Sequence, residues 1–432
     1  MDKRVLLGVS GLVGVVLLVG VILALGSCNG DDDEVADEPT PTAVADDVDE
    51  VATDDADPTP VVDDTEATDD AEPVDDAPDE EIQLPEGQPE VPQSDEMAYG
   101  FNIAWRADEG GLEYNQNTRL AVEQAGFNGV RCQVHWSEVQ REPDWLDPLP
   151  IDRMLDAYEG TNVRVMVSIV GAPDWALDED GEQLLTDYNM FAEFMSFMAD
   201  RYRGRIQAWE IWNEQNMAHE MHGTVRVSNY ARLLEAGYQG VKSADPDALV
   251  IFGGLTPTGI NDPEVAVNDV DYLRSFYEFE GGHFTQFFDV LGMHLNATNN
   301  PPDTTYPDNP GPGEWTDHNS FYFLRGQDLR AVMQEFGDER PAWVTEFGWT
   351  TENPAPGYEY GADVSEEDQA NYLVGAFEVA REQMPWIDGM FVWNLNFTTI
   401  VSPEDEKYAW SVLNEDWSPR PAYEALQQMP KP

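Results

Sequence analysis

The sequence predicts an α/β fold, a single (β/α)8 barrel, and three observations carry that expectation. Eight short apolar runs alternate with amphipathic stretches between residues 97 and 432, which implies parallel strands joined by helices. Most of these runs are continuously apolar, as strands covered on both faces are. No G-x-G-x-x-G turn follows the first run, where an open doubly wound sheet would cradle a phosphate. The roughly 336 residues from Met97 onward suit one large barrel, and they contain no internal repeat and no second domain.

In order, the strand runs are 99–104, 129–134, 163–170, 206–212, 249–254, 290–295, 342–345 and 389–395. The amphipathic stretches between them cover 117–125, 188–202, 227–243, 322–336 and 366–383, and the segment after Trp417 reads as a turn into a closing helix. The loop 296–319, rich in Pro, Gly and Asp, is expected to cover one end of the barrel mouth.

The ends of the chain have their own chemistry. Met1-Asp2-Lys3-Arg4 precedes an apolar stretch over 5–26, the pattern of an export signal that is also long enough to span a bilayer uncleaved. Leu25-Gly26-Ser27-Cys28 resembles a bacterial lipobox, which implies lipidation of Cys28. With either anchor Lys3 and Arg4 stay inside and the rest lies outside. The expectation is a membrane-anchored bacterial lipoprotein at the cell surface, with residues 1–28 as signal and anchor. Residues 29–96 are almost wholly Asp, Glu, Pro, Thr, Ala and Val, with no Lys or Arg. Such a segment buries too little apolar surface to offset its ordering entropy, so it is expected to be a disordered, self-repelling stalk.

Acidic residues number 85 against 22 basic ones, giving a formal net charge of −63, and the linker holds only about a third of the acids. That balance excludes nucleic acid and polyanions drawn by charge alone, and it suits a saline habitat. With only Cys28 and Cys132 there is no disulfide framework, and Cys132 reads as a small core residue.

Two strings point to chemistry: Trp-Glu-Ile-Trp-Asn-Glu-Gln-Asn over 209–216 and Trp-Val-Thr-Glu-Phe-Gly-Trp over 343–349. Each sets a carboxylate, Glu214 or Glu346, where a buried strand opens into a loop. Barrel residues at the carboxyl ends of strands face one shared site. Two such carboxylates are the minimal apparatus for cleaving a glycosidic bond. Glu210 reads as a structural charge. His135 and Trp136, just past the second run, are expected to line the cleft, and Trp212 to supply an apolar pocket beside Glu214. Trp105, Trp175, Trp315 and Trp349 are candidates for either cleft wall or core. His219-Glu220-Met221-His222 spaces its histidines three apart instead of four, so no metal is expected, and no G-x-S-x-G is present.

These strings resemble those of clan A retaining glycoside hydrolases, families 5 and 39. The resemblance rests on Asn213-Glu214, Glu346, Arg131 on the second run, Gly253-Gly254 after the fifth, His294 at the sixth and Trp393 at the eighth, and it spans most of 97–428. It implies that Glu346 is the nucleophile and Glu214 the acid/base, with Arg131 keeping Glu346 ionised. Asn213 would meet a sugar 2-hydroxyl, His294 the substrate site, and Trp393 a sugar face. It further implies a cofactor-free monomer acting on a β-linked polysaccharide or oligosaccharide, with glucan, mannan, xylan and a self-produced exopolysaccharide all open. A catalytically silent carbohydrate-binding or adhesion protein, and a surface transglycosylase, are the rival readings. One departure is plain: relatives carry a tyrosine shortly past the histidine to hold the nucleophile, and here the run is His294-Leu295-Asn296-Ala297.

Overall fold

The computed structural model describes residues 97–108 and 110–431; the expected anchor (1–28), with Cys28, and the acidic linker (29–96) lie outside them. Eight parallel strands close in sequence order: β1 (Ala98–Asn102), β2 (Gly129–His135), β3 (Arg164–Val170), β4 (Ala208–Ile211), β5 (Leu249–Leu255), β6 (Val290–His294), β7 (Ala342–Phe347) and β8 (Ile387–Val392). β8 returns to pair with β1 through Tyr99 opposite Met390. One principal helix follows each strand: α1 (Gly111–Gln124), α2 (Leu149–Asp156), α3 (Tyr188–Arg201), α4 (Val227–Ala244), α5 (Asp269–Glu278), α6 (Gly326–Glu335), α7 (Glu366–Gln383) and α8 (Pro421–Gln428). The barrel expected from the alternation is therefore present. No helix among the described residues is long and apolar enough to cross a membrane.

Local chemistry explains several boundaries. Ser365 and Asp368 form a reciprocal capping box that starts α7 where the sequence places it. Asp187 caps α3 through Asn189 N–H. The stretch expected as helix from 322 begins instead with a 3₁₀ turn over Phe323–Arg325, and α6 starts at Gly326. There the Arg325 side chain pairs bidentately with buried Asp269, at 3.1 and 2.8 Å. The short helices α2 and α5 lie in stretches that read as connections; their eight and ten residues give too few turns for a clear period.

Alternation along each strand separates two cores. Val130, Cys132 and Val134 of β2, with Val165, Val167 and Ile169 of β3, pack outward under the helices. Each such fully buried side chain stabilises by about 1.5–3 kcal/mol. Burial pushes the Cys132 thiol up to about 12, so it is a core residue rather than a reactive one. Inward-facing Met166, Ala208, Ile251, Val290 and Phe391 form a second cluster at the amino-terminal end of the barrel. A cavity of about 300 Å³ lies beside it, lined also by Trp343, Arg164 and Asp388. The apolar residues close one end; the polar interior layer lies above them.

Candidate active site

The polar layer is organised by Arg131, wholly buried inside the barrel. Its Nε donates to Glu210 Oε2 at 2.7 Å and its Nη1 to Glu346 Oε1 at 2.5 Å. Nη1 also donates to Asn102 Oδ1 at 2.7 Å, and Nη2 to Asn213 Oδ1 at 2.8 Å. A buried guanidinium is tolerable only when paired and hydrogen-bonded in this way. Glu210 is thus the structural charge the sequence suggests: its other oxygen accepts from Gly254 N–H at 3.2 Å.

Two backbone irregularities aim the carboxylates. In β7 Trp343 belongs to the interior cluster, and simple alternation would turn Glu346 outward. The register of β7 shifts against both neighbours, between Val344 and Phe347 on one side and opposite Met293/His294 on the other. Such bulges re-aim side chains, and here the shift brings Glu346 against Arg131. Beyond β4, Trp212 and Glu214 adopt left-handed φ values of 71° and 47°. Non-glycine residues persist there only when their surroundings hold them; Glu214 N–H donates to Gly254 O at 2.9 Å.

His294 joins the two carboxylates. Its Nδ1 lies 2.9 Å from Glu214 Oε1 and its Nε2 3.7 Å from Glu346 Oε1. Thr256 Oγ1 donates to Glu214 Oε1 as well. Each of Glu214, His294 and Glu346 offers an atom within 4.8 Å of the others, so these three are also the group among the described residues that has metal-ligand spacing. Gly254 makes the arrangement possible, because a Cβ there would sit 2.3 Å from the His294 ring.

Electrostatics distributes the protons unevenly. Burial pushes the Glu346 carboxyl up, and the charges of His294 and Arg131 only partly offset this. Burial acts on Glu214 in the same sense, but hydrogen bonds from His294 and Thr256 and the His294 charge outweigh it and leave Glu214 lowered. His294 is raised: burial opposes its charge, while Glu346 and Glu214 more than compensate. These shifts favour a proton on His294 over one on Glu214.

The expected site residues divide. Glu214, Glu346, Arg131, Asn213 and His294 converge. Asn213 spends Oδ1 on Arg131, and its Nδ2 finds no acceptor among the described residues. His135 is half-buried at the end of β2, against Gly171. Trp393 is half-buried just beyond β8, with Phe397 5.2 Å away. Trp136 is a correction. It is fully buried among Trp175, Phe191 and Phe194 on the helix side, because alternation from inward-facing Arg131 turns residue 136 outward. Trp212 is fully buried, with its indole N–H donating to Glu220 O at 2.9 Å. Trp349 packs in the core beside Phe323 and Tyr372. Sequence reasoning missed Asn102 and Thr256, whose only signal is a polar residue at the carboxyl end of an apolar run. No tyrosine hydroxyl contacts Glu346 among the described residues; Arg131 and His294 hold it.

A closed parallel barrel with two carboxylates at the carboxyl ends of β4 and β7 defines the class of (β/α)8 hydrolases. Residues 90–396 match the family described as Cellulase (glycosyl hydrolase family 5). The chain belongs to that family. Among solved structures it is similar to a family 39 glycoside hydrolase from Bacteroides cellulosilyticus WH2, at 19% identity and TM-score 0.53, covering 76% of this chain and 62% of that one. A GH5_18 protein from Streptomyces cattleya solved with GlcNAc shares 15% identity at TM-score 0.55, over 77% and 79% of the two chains. The exo-β-1,4-mannosidase Op5Man5 from Opitutaceae bacterium strain TAV5 shares 15% at TM-score 0.51, over 77% and 59%. The chain thus spans less than two thirds of the family 39 enzyme and of the mannosidase. These likenesses are of fold. No curated protein matches the chain.

Proposed function

We propose that the chain hydrolyses β-linked polysaccharide or oligosaccharide with retention of configuration, Glu346 attacking the anomeric carbon and Glu214 serving as acid and then base. The spacing of the two carboxylates carries this reading. Their nearest oxygens lie within 4.8 Å, as suits retaining pairs about 5–5.5 Å apart and not inverting pairs at about 6.5–9.5 Å, which leave room for a water. Glu346 must be ionised to attack and Glu214 protonated to release the leaving group, whereas the resting site favours a proton on His294 over one on Glu214. The proton on His294 resolves this. Across the 2.9 Å contact it passes to Glu214 Oε1, leaving neutral imidazole beside a neutral acid. Substrate that displaces water favours this uncharged pair over the separated charges. Arg131 then holds the remaining Glu346 carboxylate, and Asn213 Nδ2 meets the 2-hydroxyl. Anchoring outside the cell through lipidated Cys28 or an uncleaved apolar helix, on the 29–96 spacer, and action as a cofactor-free monomer complete the proposal.

The test is glycan cleavage by the purified chain across β-glucan, mannan and xylan, beside Glu346→Gln, with the product anomer followed by NMR. Release of the retained anomer, lost by about 10⁴-fold or more in the variant, is expected. Inverted product sinks the mechanism, and cleavage that survives Glu346→Gln sinks the nucleophile. Glycan binding without cleavage points to a silent binding protein, and longer products at high donor concentration to a transglycosylase.

A further inference from the structure

The Glu214 backbone is held from behind by the end of β5. Strands β4 and β5 pair in register up to Ile211 opposite Phe252, and β5 then shifts register against β6 between Phe252 and Leu255. Such an irregularity releases backbone groups from the ladder, and here Gly253 and Gly254 use all four of theirs. Gly253 N–H donates to the Tyr230 hydroxyl at 2.7 Å, and that hydroxyl donates to Ile211 O at 3.1 Å. Gly253 O accepts from Gln215 Nε2 at 2.7 Å. Gly254 N–H donates to Glu210 Oε1, and Gly254 O accepts from Glu214 N–H. Tyr230 comes from the first turn of α4 and is wholly buried, its ring edge-on to Phe252 with centres 4.9 Å apart. Gln215 is wholly buried too. Only glycine fits between them, because a Cβ on Gly253 would lie 2.7 Å from Ile211 O and 2.6 Å from Gln215 Oε1.

We propose that Tyr230 and Gln215 are positioning residues for the acid/base: they fix Gly253, so that the Gly254 carbonyl holds Glu214 in place for proton transfer. The inference rests on Glu214 being the acid/base. Both side chains are too deeply buried to touch a substrate, so their influence passes through two peptide groups. It matters there because Glu214 has the left-handed φ of 47°, a conformation that lasts only while its surroundings enforce it. Burial pushes the Tyr230 hydroxyl well above its ordinary value, so it remains a donor. In the first step the Glu214 proton moves to the leaving-group oxygen while that oxygen's bond to the anomeric carbon breaks and Glu346 bonds to the same carbon. In the second, Glu214 takes a proton from water while the water oxygen displaces Glu346. A misplacement of about 1 Å in the proton donor costs on the order of 100-fold. A leaving group that departs as a stable anion needs no proton, and its release in the first step is indifferent to that misplacement.

The test compares the full chain with Tyr230→Phe and Gln215→Met on two kinds of substrate. The 2,4-dinitrophenyl β-glycosides of cellobiose, mannobiose and xylobiose release their leaving group without a proton; cellopentaose, mannopentaose and xylopentaose need one. Tyr230→Phe should lower kcat/KM about 10- to 100-fold for whichever pentaose the parent cleaves. It should keep kcat/KM for the matching dinitrophenyl glycoside within about threefold, while kcat and KM for that glycoside fall together because the base step is slowed. Gln215→Met, which keeps the volume and removes the amide, should show the same selective loss, and it carries the test if Tyr230→Phe does not fold. Equal loss on both kinds of substrate is what a merely structural role gives. That result, or no loss on either, overturns the positioning role and leaves the glycosidase reading standing. No release from any of the six substrates by the parent overturns both together.

Discussion

The two ends of the barrel use the same eight strands and opposite chemistry. At the amino-terminal end Met166, Ala208, Ile251, Val290 and Phe391 meet around a cavity of about 300 Å³. At the carboxyl-terminal end Arg131, Glu210, Glu214, His294 and Glu346 meet in a network of charges. Apolar packing is tolerant of gaps and swaps, whereas a buried charge network fails when one member goes. Stability and catalysis should therefore separate between the ends.

The largest expected effect is at the charged end. Arg131→Leu strands Glu210 and Glu346 as uncompensated buried carboxylates, with a loss of about 3–5 kcal/mol in denaturant unfolding and of nearly all hydrolysis. A variant with normal stability would break the contrast. Phe391→Ala at the other end should cost about 3 kcal/mol, the low side for such a truncation because a cavity already adjoins it. Its kcat should stay within about twofold of the parent, since nothing in the mouth depends on that ring.

His294→Gln sharpens the charged end by pH. The folded-state value of His294 is raised above 6.5, so its contribution to stability is complete below 6.5 and is lost as pH rises through the raised value. The parent should therefore lose stability on the alkaline side of 6.5 by an increment the variant lacks. The alkaline limb of kcat/KM should also move toward acid, because the proton store beside Glu214 is gone. An unmoved limb would mean that His294 carries no catalytic proton. The smallest effect is a gain. Ala208→Val, filling the apolar cavity, should stabilise by about 0.5–1 kcal/mol in thermal unfolding and leave hydrolysis unchanged.

The two ends were unequally legible as well. Strand alternation and continuous apolar runs revealed the barrel, because a strand buried on both faces must be apolar along its length. Glu214, Glu346, Arg131 and His294 stood out as charges interrupting such runs. The pairing of Arg131 with Glu210 was less legible, since 79 residues separate them. Trp136 misled because an aromatic just past a strand looks the same whether it faces the mouth or the helices.

By itself the sequence determined the eight-strand rhythm, the carboxylates at two strand ends and the charge balance of the chain, all properties of composition and spacing. Only the tertiary structure decided that the β7 register shift turns Glu346 inward, that Gly254 leaves room for His294, and that His294 stands between the two carboxylates. Side-chain direction at a bulge and the proton affinity of a buried carboxyl depend on neighbours brought in from distant parts of the chain, and closure of the barrel is what brings them.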